Sequence, residues 1–139
     1  MQDDRLSALR TELERPPFNA WLAPEPVAVD DAARAVEIRL PVRAEFSYHP
    51  ERKIVHGGVL AALADIAGYA TVALFHGGAT PTMTLQIDYL SASEADVLTA
   101  RGMLRKLGRT ASRADVEISG GGRLLAIARG TFSTAGGRA

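Results

Sequence analysis

His56-Gly57-Gly58-Val59-Leu60-Ala61-Ala62-Leu63-Ala64-Asp65-Ile66-Ala67-Gly68-Tyr69-Ala70 is the stretch on which the fold turns. Two glycines open an apolar run with helical character, and from Val59 to Phe75 the only charged residue is Asp65. A helix that is apolar all round is buried. A carboxylate inside such a helix is costly unless it is paired or used. His76-Gly77-Gly78 closes the run. It repeats the letters of 56–58, but at the other end glycine is the expected C-terminal cap and histidine suits the negative end of the dipole.

Working outward, residues 3–14 carry Leu6, Leu9 and Leu13 at helical spacing, and Pro16-Pro17 stops that helix. A loop with Phe18, Trp21, Pro24 and Pro26 follows. From Val36 to Phe46 apolar residues take the even positions, which predicts a strand that Pro41 bends or confines to an edge. Beyond the helix, residues 82–90 alternate, with Met83, Leu85, Ile87 and Tyr89 on one face and Thr82, Thr84, Gln86 and Asp88 on the other. Residues 96–106, 110–119 and 123–132 complete four strands, the last two joined by a hairpin at Gly120-Gly121-Gly122. Short connections imply an antiparallel sheet. One long helix wrapped by that sheet makes the chain α+β.

The 139 residues fit one domain, with 1–26 as an N-terminal helix and loop and 134–139 as a frayed tail. Lys+Arg and Asp+Glu balance at 16 each, so net charge gives no support for a nucleic-acid or anionic-membrane partner. The absence of cysteine excludes disulfides, thiolate metal sites and cysteine nucleophiles, and suits a reducing cytoplasm. The first residues do not read as a signal peptide. Residues 57–75 sit near the lower length limit for a membrane span and carry Asp65 near the middle, so no membrane is expected.

A helix N-terminus leaves backbone N–H groups unpaired. Glycines there permit close approach, so Gly57 and Gly58 could polarise a carbonyl oxygen or hold an anion, or could simply form a tight turn into the helix. Asp65 lies eight residues on, ~12 Å along the axis. A single copy of Asp65 therefore cannot act on a carbonyl held at Gly57 of its own helix. If both serve one reaction, a second chain supplies one of them, as two antiparallel helices in a two-fold dimer would. The alternative is an interface aspartate. His56 could orient the loop, touch a substrate or be structural. Arg105, Lys106, Arg109 and Arg113 cluster around Leu107-Gly108, as a phosphate-holding turn or a solvated hairpin end. No histidine has companions at metal-ligand spacing, and no serine-nucleophile, dinucleotide or Walker motif is present.

The run from His56 to Asp65, Thr82-Met83-Thr84-Leu85-Gln86-Ile87-Asp88-Tyr89-Leu90, Lys106-Leu107-Gly108-Arg109 and Ala126-Ile127-Ala128-Arg129-Gly130-Thr131-Phe132 together resemble the hotdog-fold acyl-CoA thioesterases of the PaaI-like branch. The resemblance spans about residues 35–133. It implies a helix wrapped in a curved antiparallel sheet, homodimers that often pair into homotetramers, and hydrolysis of a coenzyme A thioester without metal or organic cofactor. It implies that the Gly57 N–H holds the thioester carbonyl, with His56 and Gly58 beside it. Asp65 of the other subunit acts as base or nucleophile, Thr82 places the water or the carboxylate, and the turn bearing Arg105, Lys106 and Arg109 meets the coenzyme's phosphates. Relatives often carry Asn or Gln six residues before the histidine, where this chain has Pro50. That departure motivates a second expectation, a domain that binds acyl-CoA without turnover. A dehydratase or hydratase on the same fold ranks last. Small, medium-chain and aromatic acyl groups all remain open.

Overall fold

The computed structural model of the protein describes residues 1–136. Its elements are α1 (Gln2–Glu14), α2 (Pro17–Leu22), β1 (Glu25–Asp30), β2 (Ala35–Pro41), α3 (Gly57–His76), β3 (Thr82–Tyr89), β4 (Val97–Lys106), β5 (Ala111–Gly120) and β6 (Arg123–Ser133). The six strands form one antiparallel sheet in the order β1-β2-β4-β5-β6-β3. α3 runs across its concave face, which is the hotdog arrangement.

The sheet and helix explain each other's composition. Leu60, Leu63, Ala64, Ala67 and Ala70 of α3 meet Ile38, Leu40, Leu98, Ala100, Val116 and Ile118 in one buried cluster. The approach is close enough that a Cβ at Gly102 of β4 would collide with the Thr71 hydroxyl and the Ala67 carbonyl. α3 starts on His56, whose Nδ1 accepts from Gly58 N, and stops at Gly77 in the left-handed region. By length and composition α3 could cross a membrane. Its buried positions, Leu60 through His76, are covered by this protein's own sheet and N-terminal helix. β5 and β6 meet at the predicted hairpin, where Gly121 and Gly122 both take positive φ, the geometry of a two-residue primed turn.

Three expectations change. The strand predicted over 36–46 ends at Pro41, which brings no N–H to continue the ladder, and Ala44–Phe46 form a 3-10 turn instead. The predicted loop after Pro17 holds α2, with proline at its first position, and β1, whose Pro26 is tolerated because it is an edge strand. Thr134 belongs to the fold rather than the tail. It is 1% exposed, and its Oγ1 donates to Gly108 O at 2.7 Å. The part of the expected tail at 137–139 lies outside the described residues.

One stripe of α3 is not covered. Gly58, Ala61, Ala62, Asp65 and Tyr69, spaced three and four apart, are exposed or half-buried. The apolar-all-round composition had implied burial on every side. Within one chain the sheet and α1 reach only part of the circumference.

Candidate active site

The first half of the site is the N-terminus of α3. Val59 N and Leu60 N turn back to His56 O, and Gly58 N donates to His56 Nδ1 at 2.8 Å. Gly57 N–H has no acceptor among the described residues. It is a free donor at the positive end of a 20-residue helix. Beside it lies a cleft of about 260 Å³ lined chiefly by apolar groups, among them Ile54, Val55, Leu60, Leu90, Leu125 and the Tyr48 ring. Tyr89 closes one side, and its hydroxyl donates to Gly57 O at 2.9 Å.

The second half is Asp65. Expected as a buried carboxylate, it is half-buried and opens onto a cavity of about 180 Å³ with Pro16, Asn19, Ile66 and Tyr69. Thr82 Oγ1 donates to Asp65 Oδ1 at 2.6 Å. Strict alternation had put Thr82 on the face away from the helix. The pairing of β3 with β6 steps from Thr82–Phe132 to Thr84–Thr131, leaving Met83 as a bulge. Directly opposed residues share a face. Thr82 therefore points the same way as the buried Phe132, toward α3. Bulges commonly re-aim a side chain in this manner.

The two halves do not meet within one chain. Gly57 sits at the Tyr89 end of β3 and Asp65 at the Thr82 end, ~12 Å apart along α3.

The basic turn lies at the Thr82 end, since Ser112 and Thr82 both pair with Phe132. It is braced from within: Gly108 N donates to Ser112 Oγ at 3.0 Å, Thr134 Oγ1 donates to Gly108 O, and Thr134 N to Thr110 O. The side chains of Lys106, Arg109 and Arg113 are exposed and make no ion pair among the described residues. Arg105 is different. Its Nε meets Asp115 Oδ2 at 2.8 Å, and Arg129 meets the same carboxylate at 2.6 and 2.9 Å. The Arg129 hydrogen bond chiefly, with Arg105 adding to it, holds the Asp115 carboxyl down at about 2 from 3.8, against partial burial. Arg105 is thus engaged by a structural carboxylate on the sheet face away from α3, and is not free for a ligand as expected.

His56 is the cap of α3, its Nδ1 occupied by Gly58 N. Pro50 is exposed, and the neighbouring His49 Nδ1 accepts from Glu51 N inside its own loop. Among the described residues no group of three or more His, Asp or Glu side chains is placed to hold a metal ion. Tyr89, Pro16 and Asn19 were not singled out from sequence. Only the fold sets them beside Gly57 and Asp65.

The model of the thioesterase superfamily matches residues 53–127, which takes in α3, β3, β4, β5 and the start of β6. The chain belongs to the thioesterase superfamily. No curated protein sequence matches it. Among solved structures this superfamily member is similar to another thioesterase-superfamily protein, with 29% identity over 94% of this chain and 98% of that one, at a TM-score of 0.86. It is similar to a phenylacetic acid degradation-related protein of Ralstonia eutropha, with 28% identity over 93% and 98% and a TM-score of 0.79. The PaaI protein of the E. coli phenylacetic acid degradation operon shares the fold, at 22% identity over 99% and 97% and a TM-score of 0.83. The PaaI-like hotdog resemblance read from the sequence agrees with these neighbours.

Proposed function

We propose that this chain is an acyl-CoA thioesterase whose site is completed by two subunits. The observation that carries the proposal is the unpaired Gly57 N–H at one end of α3 and the hydroxyl-held Asp65 at the other. β3 is a sheet edge with an open row of backbone groups. Antiparallel pairing of two β3 strands about a two-fold axis sets Thr82 of one beside the Tyr89 end of the other. That brings Gly57 toward the partner subunit's Asp65. It also covers the half-exposed stripe of α3. The same units pairing again would give a homotetramer.

In this mechanism the thioester oxygen accepts from Gly57 N–H, which stabilises the negative charge that develops on it. The partner subunit's Asp65 takes a proton from water as the water oxygen bonds to the carbonyl carbon. Collapse of the tetrahedral adduct breaks the C–S bond and releases the acid and the coenzyme A thiolate, which takes up a proton. Direct attack by the carboxylate, followed by hydrolysis of the resulting anhydride, gives the same products. Thr82 holds one carboxylate oxygen so that the other faces the reaction. The apolar cleft beside Gly57 suits the uncharged part of the substrate. Lys106 and Arg109 suit the phosphates, with Gly58 near the carbonyl. No step calls for a metal or organic cofactor, and the cysteine-free chain suits a cytoplasmic setting.

Thiol release from short, medium and aromatic acyl-CoA esters tests the proposal. Turnover by the wild type and a fall of at least roughly 100-fold in Asp65→Asn, with the oligomer intact, are expected. The exposed Pro50, which offers no side-chain hydrogen bond, favours the second reading, a binding domain without turnover. Saturable acyl-CoA binding with no thiol released by the wild type would establish that one.

A further inference from the structure

The Gly57–Gly58 peptide is held from both sides. Its carbonyl accepts from the Tyr89 hydroxyl at 2.9 Å, and its N–H donates to His56 Nδ1 at 2.8 Å. The Tyr89 ring lies flush on Gly57: a Cβ built there would stand 3.2 Å from Tyr89 Cε1 and 3.3 Å from Cζ. Yet Tyr89 is no core residue. It ends edge strand β3 and is 54% exposed. An exposed tyrosine normally leaves its hydroxyl to water. Here the hydroxyl reaches across to a first-turn carbonyl.

We infer that Tyr89 is a positioning residue for the Gly57 donor. The inference rests on the hydrolase reading of the site. A first-turn peptide flanked by two glycines rotates easily, because neither residue restricts its backbone. Any rotation of the Gly57–Gly58 plane is felt at the His56–Gly57 plane, which carries the one free N–H. With the carbonyl and the N–H of the following peptide both tied, the free donor keeps one direction. Catalysis by a backbone donor depends on orientation held before the reaction starts, and small misplacements cost large factors in rate. Tyr89 also walls the apolar cleft, so the group that fixes the donor touches the space the substrate would enter.

Tyr89→Phe keeps the ring and removes the bond. Thr11→Ala is the control, since it removes an exposed hydroxyl on α1 that bonds only Ser7 O and does not line the cleft. The expected result is a kcat about 10-fold lower in Tyr89→Phe, with KM and melting temperature unchanged and Thr11→Ala equal to wild type. Amide hydrogen exchange gives a second readout that needs no turnover: Gly58 N–H should exchange faster in Tyr89→Phe. A wild-type kcat, or a loss that appears only in KM or melting temperature, overturns the inference. If the wild type hydrolyses no ester, the hydrolase reading fails by itself. Exchange then decides the role of Tyr89, and unchanged protection of Gly58 overturns it.

Discussion

Thr82 reaches Asp65 because Met83 does not count in the strand register. The 2.6 Å bond from Thr82 Oγ1 to Asp65 Oδ1 joins β3 to α3, and the bulge at Met83 is what turns Thr82 inward. A hydroxyl that donates to one carboxylate oxygen fixes the torsion of the side chain and leaves the other oxygen as the open acceptor.

Removing that hydroxyl should therefore slow the reaction more than it loosens the fold. Thr82→Ala is expected to lower kcat about 10-fold. The melting temperature should stay within a few degrees, since Thr82 is exposed apart from this bond. Thr82→Ser should retain most of the activity. Steady-state kinetics on the best ester, with a thermal melt of each variant, checks this. Equal losses in the Ser and Ala variants would show that the methyl group, not the hydroxyl, matters.

The long helix, its two ends, the four C-terminal strands and the glycine hairpin were legible in the sequence, because each is written in local periodicity or in a cap residue. Gly57 and Asp65 stood out for the same reason, whereas Thr82 entered only through the family resemblance, since the alternation of 82–90 set it on the opposite face. The bulge at Met83 did not, since it is a property of how β3 pairs with β6 and leaves no mark in the alternation of β3 itself. β1 was hidden by Pro24 just before it and Pro26 within it, and Pro26 is acceptable because β1 is an edge. Arg105 looked like its basic neighbours, but strand register brings Asp115 to it from β5. Tyr89 read as one more apolar position of a strand.

The basic turn and Arg105 should separate in kinetics. Lys106→Ala/Arg109→Ala is expected to raise KM for acyl-CoA about 10-fold with little change in kcat, and to weaken the dependence of KM on salt. Arg105→Ala should leave KM unchanged and cost stability instead, because its partner is Asp115. A raised KM in Arg105→Ala alone would reverse the assignment.

Asp115 predicts an acid-dependent stability. Its carboxyl sits at about 2 in the fold against 3.8 when unperturbed, so the folded state favours the ionised form. The stabilisation is complete above the unfolded value and is lost as pH falls through the folded one. Both arginines are more than half exposed, so the contribution at neutral pH is on the order of 1 kcal/mol. Asp115→Asn should melt a few degrees below wild type at pH 7, with the gap closing by about pH 2. A gap that persists unchanged at pH 2 would show that packing, not charge, accounts for it.

The central claim is that Gly57 of one subunit works with Asp65 of another, and mixed dimers test it most directly. Gly57→Pro removes the donor and adds a Cβ that the exposed Tyr89 ring must yield to by a few tenths of an ångström; position 57 begins α3, where proline is tolerated, and His56 already has the extended backbone that precedes proline. Gly57→Pro and Asp65→Asn homodimers should each be inactive. Unfolded together and refolded at equal ratio, half the dimers are hybrids, and each hybrid holds one site with both intact groups. The account predicts recovery of about a quarter of wild-type activity. A mixture no more active than its parents, with hybrid dimers demonstrated by mass, would contradict it.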